Sequence, residues 1–160
     1  MTDLLQVWNA GRVREAERLR PFFEDGLARL KALREKLKAE AEAQAAELPG
    51  LYRQRIEQIL EEARLAGQLP AERLLAEAGV LAERQDVREE LIRLAAHLDD
   101  FAERLAKGRL EGKAVDVWCQ EVLRELNTTG SKCKRLDMTR AVMEAKGVLD
   151  QIREQSVNLE

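Results

Sequence analysis

Gln120-Glu121-Val122-Leu123-Arg124-Glu125-Leu126-Asn127-Thr128-Thr129-Gly130-Ser131-Lys132 is the stretch from which the chain is best read. Taking Val115 as origin and about 100° per residue, Trp118, Cys119, Val122 and Leu126 fall on one side. Gln120, Glu121, Arg124 and Glu125 fall on the other. Arg124 stands one turn beyond Gln120 and Glu125 one turn beyond Glu121, so the polar face carries two adjacent i,i+4 rows. The spacing predicts a helix that ends near Leu126. Asn127 to Lys132 then reads as a tight polar loop whose hydroxyl, amide and ammonium groups suit an anion, with Gly130 available for a positive φ. The same six residues also read as an ordinary helix end followed by an N-cap.

Working outward, helical spacing recurs along the chain and no stretch alternates convincingly with strand period. Upstream, Asp86 is expected to open a helix, with Glu89 as a capping-box-like partner. Leu91, Leu94, Ala95, Leu98, Ala102 and Leu105 form its apolar stripe, Glu90, Arg93 and His97 share one shoulder, and Phe101 stands at the edge. A Gly108 to Gly112 loop flanked by Lys107, Arg109 and Lys113 leads into the central helix. Downstream, Met138, Ala141, Val142, Ala145, Leu149 and Ile152 mark a closing helix, with Lys146, Arg153 and Glu160 in a line along it.

Towards the N-terminus, Leu4, Leu5, Trp8, Val13 and Leu19 give a loose stripe before Pro21, which should kink the helix or begin a new one. Leu27, Leu30, Leu33 and Leu37 then recur at three- and four-residue steps, and an Ala/Glu/Lys-rich tail runs to about Leu48. Pro49-Gly50 is expected to break this helix, and Leu51, Ile56, Ile59, Leu60 and Ala63 to form a returning one that ends near Ala66-Gly67. After Leu69-Pro70, Leu74, Leu75, Ala78 and Leu81 predict a further helix. The expected architecture is all-α across residues 1–160. Residues 22–66 form a long helical hairpin, a coiled-coil-like arm, attached to a compact helical bundle over 70–160.

Composition narrows the function. With 36% charged and only 4% aromatic residues in 160, the chain reads as one heavily solvated helical domain with a modest core. A net charge of −3 supplies no global attraction to nucleic acid, so any such contact must use a local basic patch. Cys119 and Cys133 lie in no CxxC pattern, and reduced thiols are the simplest reading. The N-terminus lacks a signal-peptide pattern and no run approaches membrane-spanning length, which points to a soluble, cytoplasmic protein without membrane contact. A single histidine excludes HExxH chemistry. Gly108-x-x-x-Gly112-Lys113-Ala114 is one residue short of a phosphate-binding P-loop and has alanine at the magnesium-ligating position. No nucleophile-elbow glycines surround a serine.

Three ordered blocks carry a resemblance. The run QE-x-x-RE-x-NTxGSK at 120–132 resembles the signature near the C-terminus of the YicC/YloC family of bacterial endoribonucleases. Arg84-x-Asp86-Val87-x-Glu89-Glu90-Leu91-x-Arg93-Leu94-x-x-His97, followed by Phe101, is similar to that family's R-x-DV-x-EEL-x-RL-x-x-H segment. Lys146 and the ending Ile152 to Glu160 resemble its closing helix. Departures are Ala114-Val115-Asp116-Val117, where the family has a basic residue and then Leu-Asp-Phe, Val157 in the closing motif, and Ala16 where the family has glycine after Glu15. The likeness covers nearly all of this chain but only the C-terminal part of a family member. A preceding domain of mixed strand and helix is absent from this chain, and its absence implies a fragment that keeps the fold with activity in question.

The resemblance implies a metal-dependent endoribonuclease acting on structured RNA, with manganese or magnesium as cofactor, no small-molecule cofactor, and a hexameric homo-oligomer closing around RNA. Hydrolysis assisted by such an ion needs hard oxygen ligands and cations against the phosphate. Glu90, Glu121 and Glu125, with Glu89 beside them, are the candidate metal ligands and catalytic carboxylates. Histidine titrates near neutral pH, which makes His97 the candidate general acid or base. Arg93, Arg124, Asn127, Thr128, Ser131 and Lys132 are the candidate RNA- or phosphate-binding residues. The plainer reading of the same residues is intrahelical ion pairs on a helical oligomerisation module, or an RNA-binding module that does not cleave.

Overall fold

The computed structural model describes the backbone of residues 2–65, 67, 69–108 and 110–159, and side chains from residue 17 onward except that of residue 158. Among the described residues five helices follow one another: α1 (Thr2–Glu62), α2 (Ala71–Glu83), α3 (Arg88–Ala106), α4 (Gly112–Lys132) and α5 (Leu136–Ser156), closed by a 3-10 turn at Val157–Leu159. Among the described residues there is no strand, as the helical spacing requires. The side chains of the expected N-terminal stripe at Leu4, Leu5, Trp8 and Val13, the loop residue Arg109 and the terminal Glu160 lie outside the described residues.

The core is a four-helix packing of α1, α3, α4 and α5, and among the described residues α2 rests on α1 alone. Leu19, Phe23, Leu27, Leu30, Leu33 and Leu37 of α1 meet the leucines of α3, the Val115–Leu126 stripe of α4 and the Met138–Ile152 stripe of α5 in one continuous cluster. Phe23, Phe101 and Trp118 stack through its centre. Phe23 meets Phe101 edge-on at 6.2 Å, and Phe101 lies nearly parallel to Trp118 at 4.0 Å. Gly26 permits a close approach of α1 to α5, since a Cβ there would come within 2.9 Å of Ile152.

Two expectations are corrected. Pro49-Gly50 does not break the chain. Both Pro21 and Pro49 lie inside α1, so the hairpin turn is not at 49–50 and residues 51–62 continue outward rather than return. A mid-helix proline loses one backbone bond at a cost on the order of 3 kcal/mol. Burial offsets that loss, because Leu48 is buried in α1 and α2 packs on α1 with its own Leu74 and Ala78 buried. The reversal falls instead at 63–70. There Arg64 and Gly67 take φ of 56° and 81°, and the Leu65 amide donates to the Leu60 carbonyl at 2.8 Å.

Asn127 to Lys132 is helix, not loop, for α4 runs unbroken to Lys132. Its buried stripe simply continues through small residues, from Leu126 to Thr129 and on to the half-buried Cys133. Gly130 is there for packing rather than for a positive φ, since a Cβ would stand 3.3 Å from Val142 of α5. The start of α3 behaves partly as expected. Asp86 Oδ1 accepts the Arg88 amide at 2.8 Å, but the Asp86 amide donates to the Glu83 carbonyl. Glu89 turns to Arg93 instead.

Candidate active site

Glu90 and Arg93 on α3 face Glu125, Thr129 and Lys132 on α4, so the i,i+3 spacing of one helix meets the i,i+4,i+7 spacing of the other. Lys132 Nζ donates to Glu90 Oε1 at 2.9 Å and to the Asp86 carbonyl at 2.8 Å. Arg93 Nε donates to Glu125 Oε2 at 2.9 Å, while its terminal nitrogens stand 3.4 Å from Glu90 and from Glu89. The bond to Glu125 raises the pKa of the Arg93 guanidinium. Both bridging carboxylates are buried. A buried carboxylate is tolerated only when paired and hydrogen-bonded; the pairs bring a cation to each, although Glu90 Oε2 is buried with no hydrogen-bond partner. These pairs close α3 onto α4.

One turn further along each helix the surface opens. A groove of about 470 Å³ is lined by His97, Asp100 and Arg104 from α3, by Glu111 just before α4, and by Lys113, Val117, Trp118 and Glu121 of α4. Trp118 Nε1 donates to the His97 carbonyl at 2.7 Å, which fixes the two helices at the floor of this groove through backbone rather than through the imidazole. Arg104 pairs with Asp100 at 2.8 Å. The groove therefore gathers an imidazole, three carboxylates and two cations at an exposed helix junction. That set can exchange protons with a bound phosphodiester and hold its charge.

The candidate residues thus divide into separate groups. Glu90, Glu125, Arg93 and Lys132 meet in the α3–α4 closure. His97 and Glu121 both line the groove, and Glu121 also stands 3.4 Å from the exposed Arg124. Asn127 is exposed. Thr128 Oγ1 donates back to the Arg124 carbonyl and Ser131 Oγ to the Thr128 carbonyl, so both hydroxyls serve their own helix. No phosphate cradle forms from 127–131, because a continuing helix spends its amides internally.

Glu90, Glu121 and Glu125 do not fit as one metal-ligand set. Among the described residues no three His, Cys, Asp or Glu side chains converge to hold an ion. Glu125 Oε2 and Glu90 Oε1 are taken by Arg93 and Lys132, and the remaining oxygen of Glu90 is buried without a hydrogen-bond partner.

Sequence reasoning passed over Asp100, Arg104 and Glu111, whose i,i+3 and i,i+7 spacing from His97 was a usable signal for the first two. It also passed over Gln44. That glutamine is 2% exposed and interrupts the stripe Leu33, Leu37, Leu48 on α1. A polar residue at a stripe position was its signal. On either side of it, Glu40 and Glu47 grip Arg135 at 2.8 and 2.5 Å, which raises the pKa of that guanidinium.

Comparison with known proteins adds to this geometry. The family described as "Endoribonuclease YicC-like, C-terminal" matches residues 29–160. A protein named "Probable endoribonuclease YicC" from Haemophilus influenzae is 35% identical over 158 residues, 99% of this chain and 53% of that protein. One of the same name from Clostridioides difficile is 35% identical over 88 residues, 55% of this chain and 30% of that protein. The chain spans about half the length of the first of these relatives.

Proposed function

The chain belongs to the YicC-like endoribonuclease family, and on that premise we propose that it is the RNA-cleaving part of an endoribonuclease. The observation that carries the reading is the groove in which His97 of α3 and Glu121 of α4 are brought together with Arg104 and Lys113. In this reading His97 and Glu121 move the protons at the phosphodiester, one taking a proton from the attacking oxygen and the other supplying one to the leaving oxygen. Lys113 and Arg104 balance the phosphate charge, and the exposed Arg124 and Asn127 extend the contact along the RNA. Structured RNA as substrate, assembly into a homo-oligomer and location in the cytoplasm belong to the same proposal. Among the described residues no helix is long and apolar enough to cross a membrane. No step is assigned to a divalent ion, since the carboxylates of the signature do not form its ligand set.

The commitment of Glu90 and Glu125 to ion pairs favours a second reading, in which the signature is scaffold and the chain is a helical assembly or RNA-binding module. The test is to incubate the chain with an end-labelled RNA hairpin, with manganese, with magnesium and with chelator, beside His97→Gln and Glu121→Gln. The Trp118 bond goes to the His97 backbone, so His97→Gln preserves it. Cutting that falls at least about a hundredfold in both variants, with melting unchanged, supports the enzyme reading. Normal cutting by both rejects the groove as the site. Intact RNA throughout, with binding that weakens as salt rises, supports the second reading.

A further inference from the structure

We propose that Gln44 is a positioning residue that sets the α3–α4 register on which the cleavage groove depends; the inference rests on the functional reading above. Gln44 reaches from α1 to two places at once. Its Nε2 donates to the Lys132 carbonyl at 3.0 Å and to the Gln85 carbonyl at 3.3 Å. Its Oε1 accepts the Lys134 amide at 2.6 Å. The side chain thereby spans the end of α4 and the turn that precedes α3, and it satisfies backbone groups of both.

Those are also the two places that Lys132 joins, since its ammonium runs back to the Asp86 carbonyl and to Glu90. The result is a closed circuit. Gln44 holds the backbone of Lys132 and of residue 85, and the side chain of Lys132 holds residues 86 and 90. His97 follows Glu90 by two turns of α3, and Glu121 precedes Lys132 by three turns of α4. Any slip of one helix along the other at this end is therefore carried into the groove.

Glutamine is the side chain this position demands. Two carbonyls need a donor and one amide needs an acceptor, and a primary amide supplies both. Glutamate keeps the acceptor but offers no donor and sets a carboxylate against two carbonyl oxygens. Methionine has the right length and offers neither. The neighbouring Glu40–Arg135–Glu47 grip holds the same connection from outside, at partly exposed positions, and does not touch the Gln85 turn.

The experiment compares the full chain with Gln44→Met and Gln44→Glu, and with Leu74→Ala as a control. Leu74 is buried where α2 rests on α1 and makes none of the circuit's hydrogen bonds. Steady-state RNA cutting is measured well below each melting temperature, together with amide exchange at Lys134. Expected is a kcat at least about tenfold lower in both Gln44 variants with KM within about twofold, and no such loss in Leu74→Ala. Exchange at the Lys134 amide rises steeply in Gln44→Met but stays slow in Gln44→Glu, which retains the acceptor. Wild-type kcat in Gln44→Met, or an equal loss in Leu74→Ala, overturns the proposal. If the unmodified chain cuts no RNA, the functional reading fails. The amide measurement then decides alone: unchanged Lys134 exchange in Gln44→Met refutes the positioning role.

Discussion

Replacing Lys132 by methionine tests whether the α3–α4 closure supplies stability. Methionine keeps most of the unbranched apolar stem and removes the charge. The Glu90 side chain, 6% exposed, then loses a partner at 2.9 Å and retains only Arg93 at 3.4 Å. Removing one partner of a buried pair costs about 3–5 kcal/mol. Lys132 itself is 29% exposed, which places the loss near the lower end, about 3 kcal/mol. For a chain of 160 residues, each kcal/mol moves the midpoint by about 2–4 °C. The expected fall in Tm is therefore about 6–12 °C.

Calorimetry of Lys132→Met beside Arg124→Met provides the contrast. Arg124 is 72% exposed and only 3.4 Å from Glu121, an exposed pair worth less than about 1 kcal/mol. In the double variant with Glu90→Gln the buried charge is gone, and part of the lost Tm should return. A Lys132→Met midpoint within about 2 °C of the parent would show that the pair adds nothing to the fold. In that case the buried carboxylate would have to be held by Arg93 alone.

Glycine replacements should split by surroundings. Gly147→Ala on α5 meets nothing within 4 Å and should stabilise by about 0.5–1 kcal/mol. Gly26→Ala meets Ile152 at 2.9 Å and should lower Tm despite the better helix former, with Ile152→Val restoring part of it; equal gains in both would refute the close approach. Burial pushes the Cys119 thiol up to about 12 and that of Cys133 up as well. Mass spectrometry after iodoacetamide at pH 8 should therefore find Cys119 unlabelled until denaturant is added. The hydrogen bond from Arg88 holds the Asp86 pKa below its usual value. Its contribution is present above the unfolded carboxylate range and fades as pH falls through the lowered folded value. Asp86→Asn should accordingly reduce Tm at pH 7 and converge with the parent in strong acid, and a constant offset at every pH would contradict this.

Much of the fold was legible because helical periodicity is a local property. The stripes of α3, α4 and α5 appear in the chain at three- and four-residue steps, and most of those residues form the core, although Phe101, expected at the edge of the α3 stripe, is buried at its centre and Ala95 is only half-buried. Local rules failed where packing outweighed them. Pro49 reads as a break, yet the helix passes through it, with Leu48 buried beside it and α2 packed on α1. Asn127 to Lys132 reads as a loop because its residues are polar, yet Thr129 is fully buried and Gly130 is a contact point for α5.

Sequence by itself determined the all-α class, the helices of the bundle and the blocks that resemble the endoribonuclease family. Each of these depends on spacing along one strand of chain. Which polar residues work together was decided only by the tertiary structure. Glu90, Glu121 and Glu125 look equivalent as carboxylates on helix faces. Two face the α3–α4 junction and must be neutralised by Arg93 and Lys132, whereas Glu121 opens onto the His97 groove. Gln44 makes the same point across some ninety residues of chain, since its partners at 132 and 134 are neighbours only after folding. Pairing across that separation depends on how helices dock, and docking is settled by the whole buried surface rather than by any one stretch.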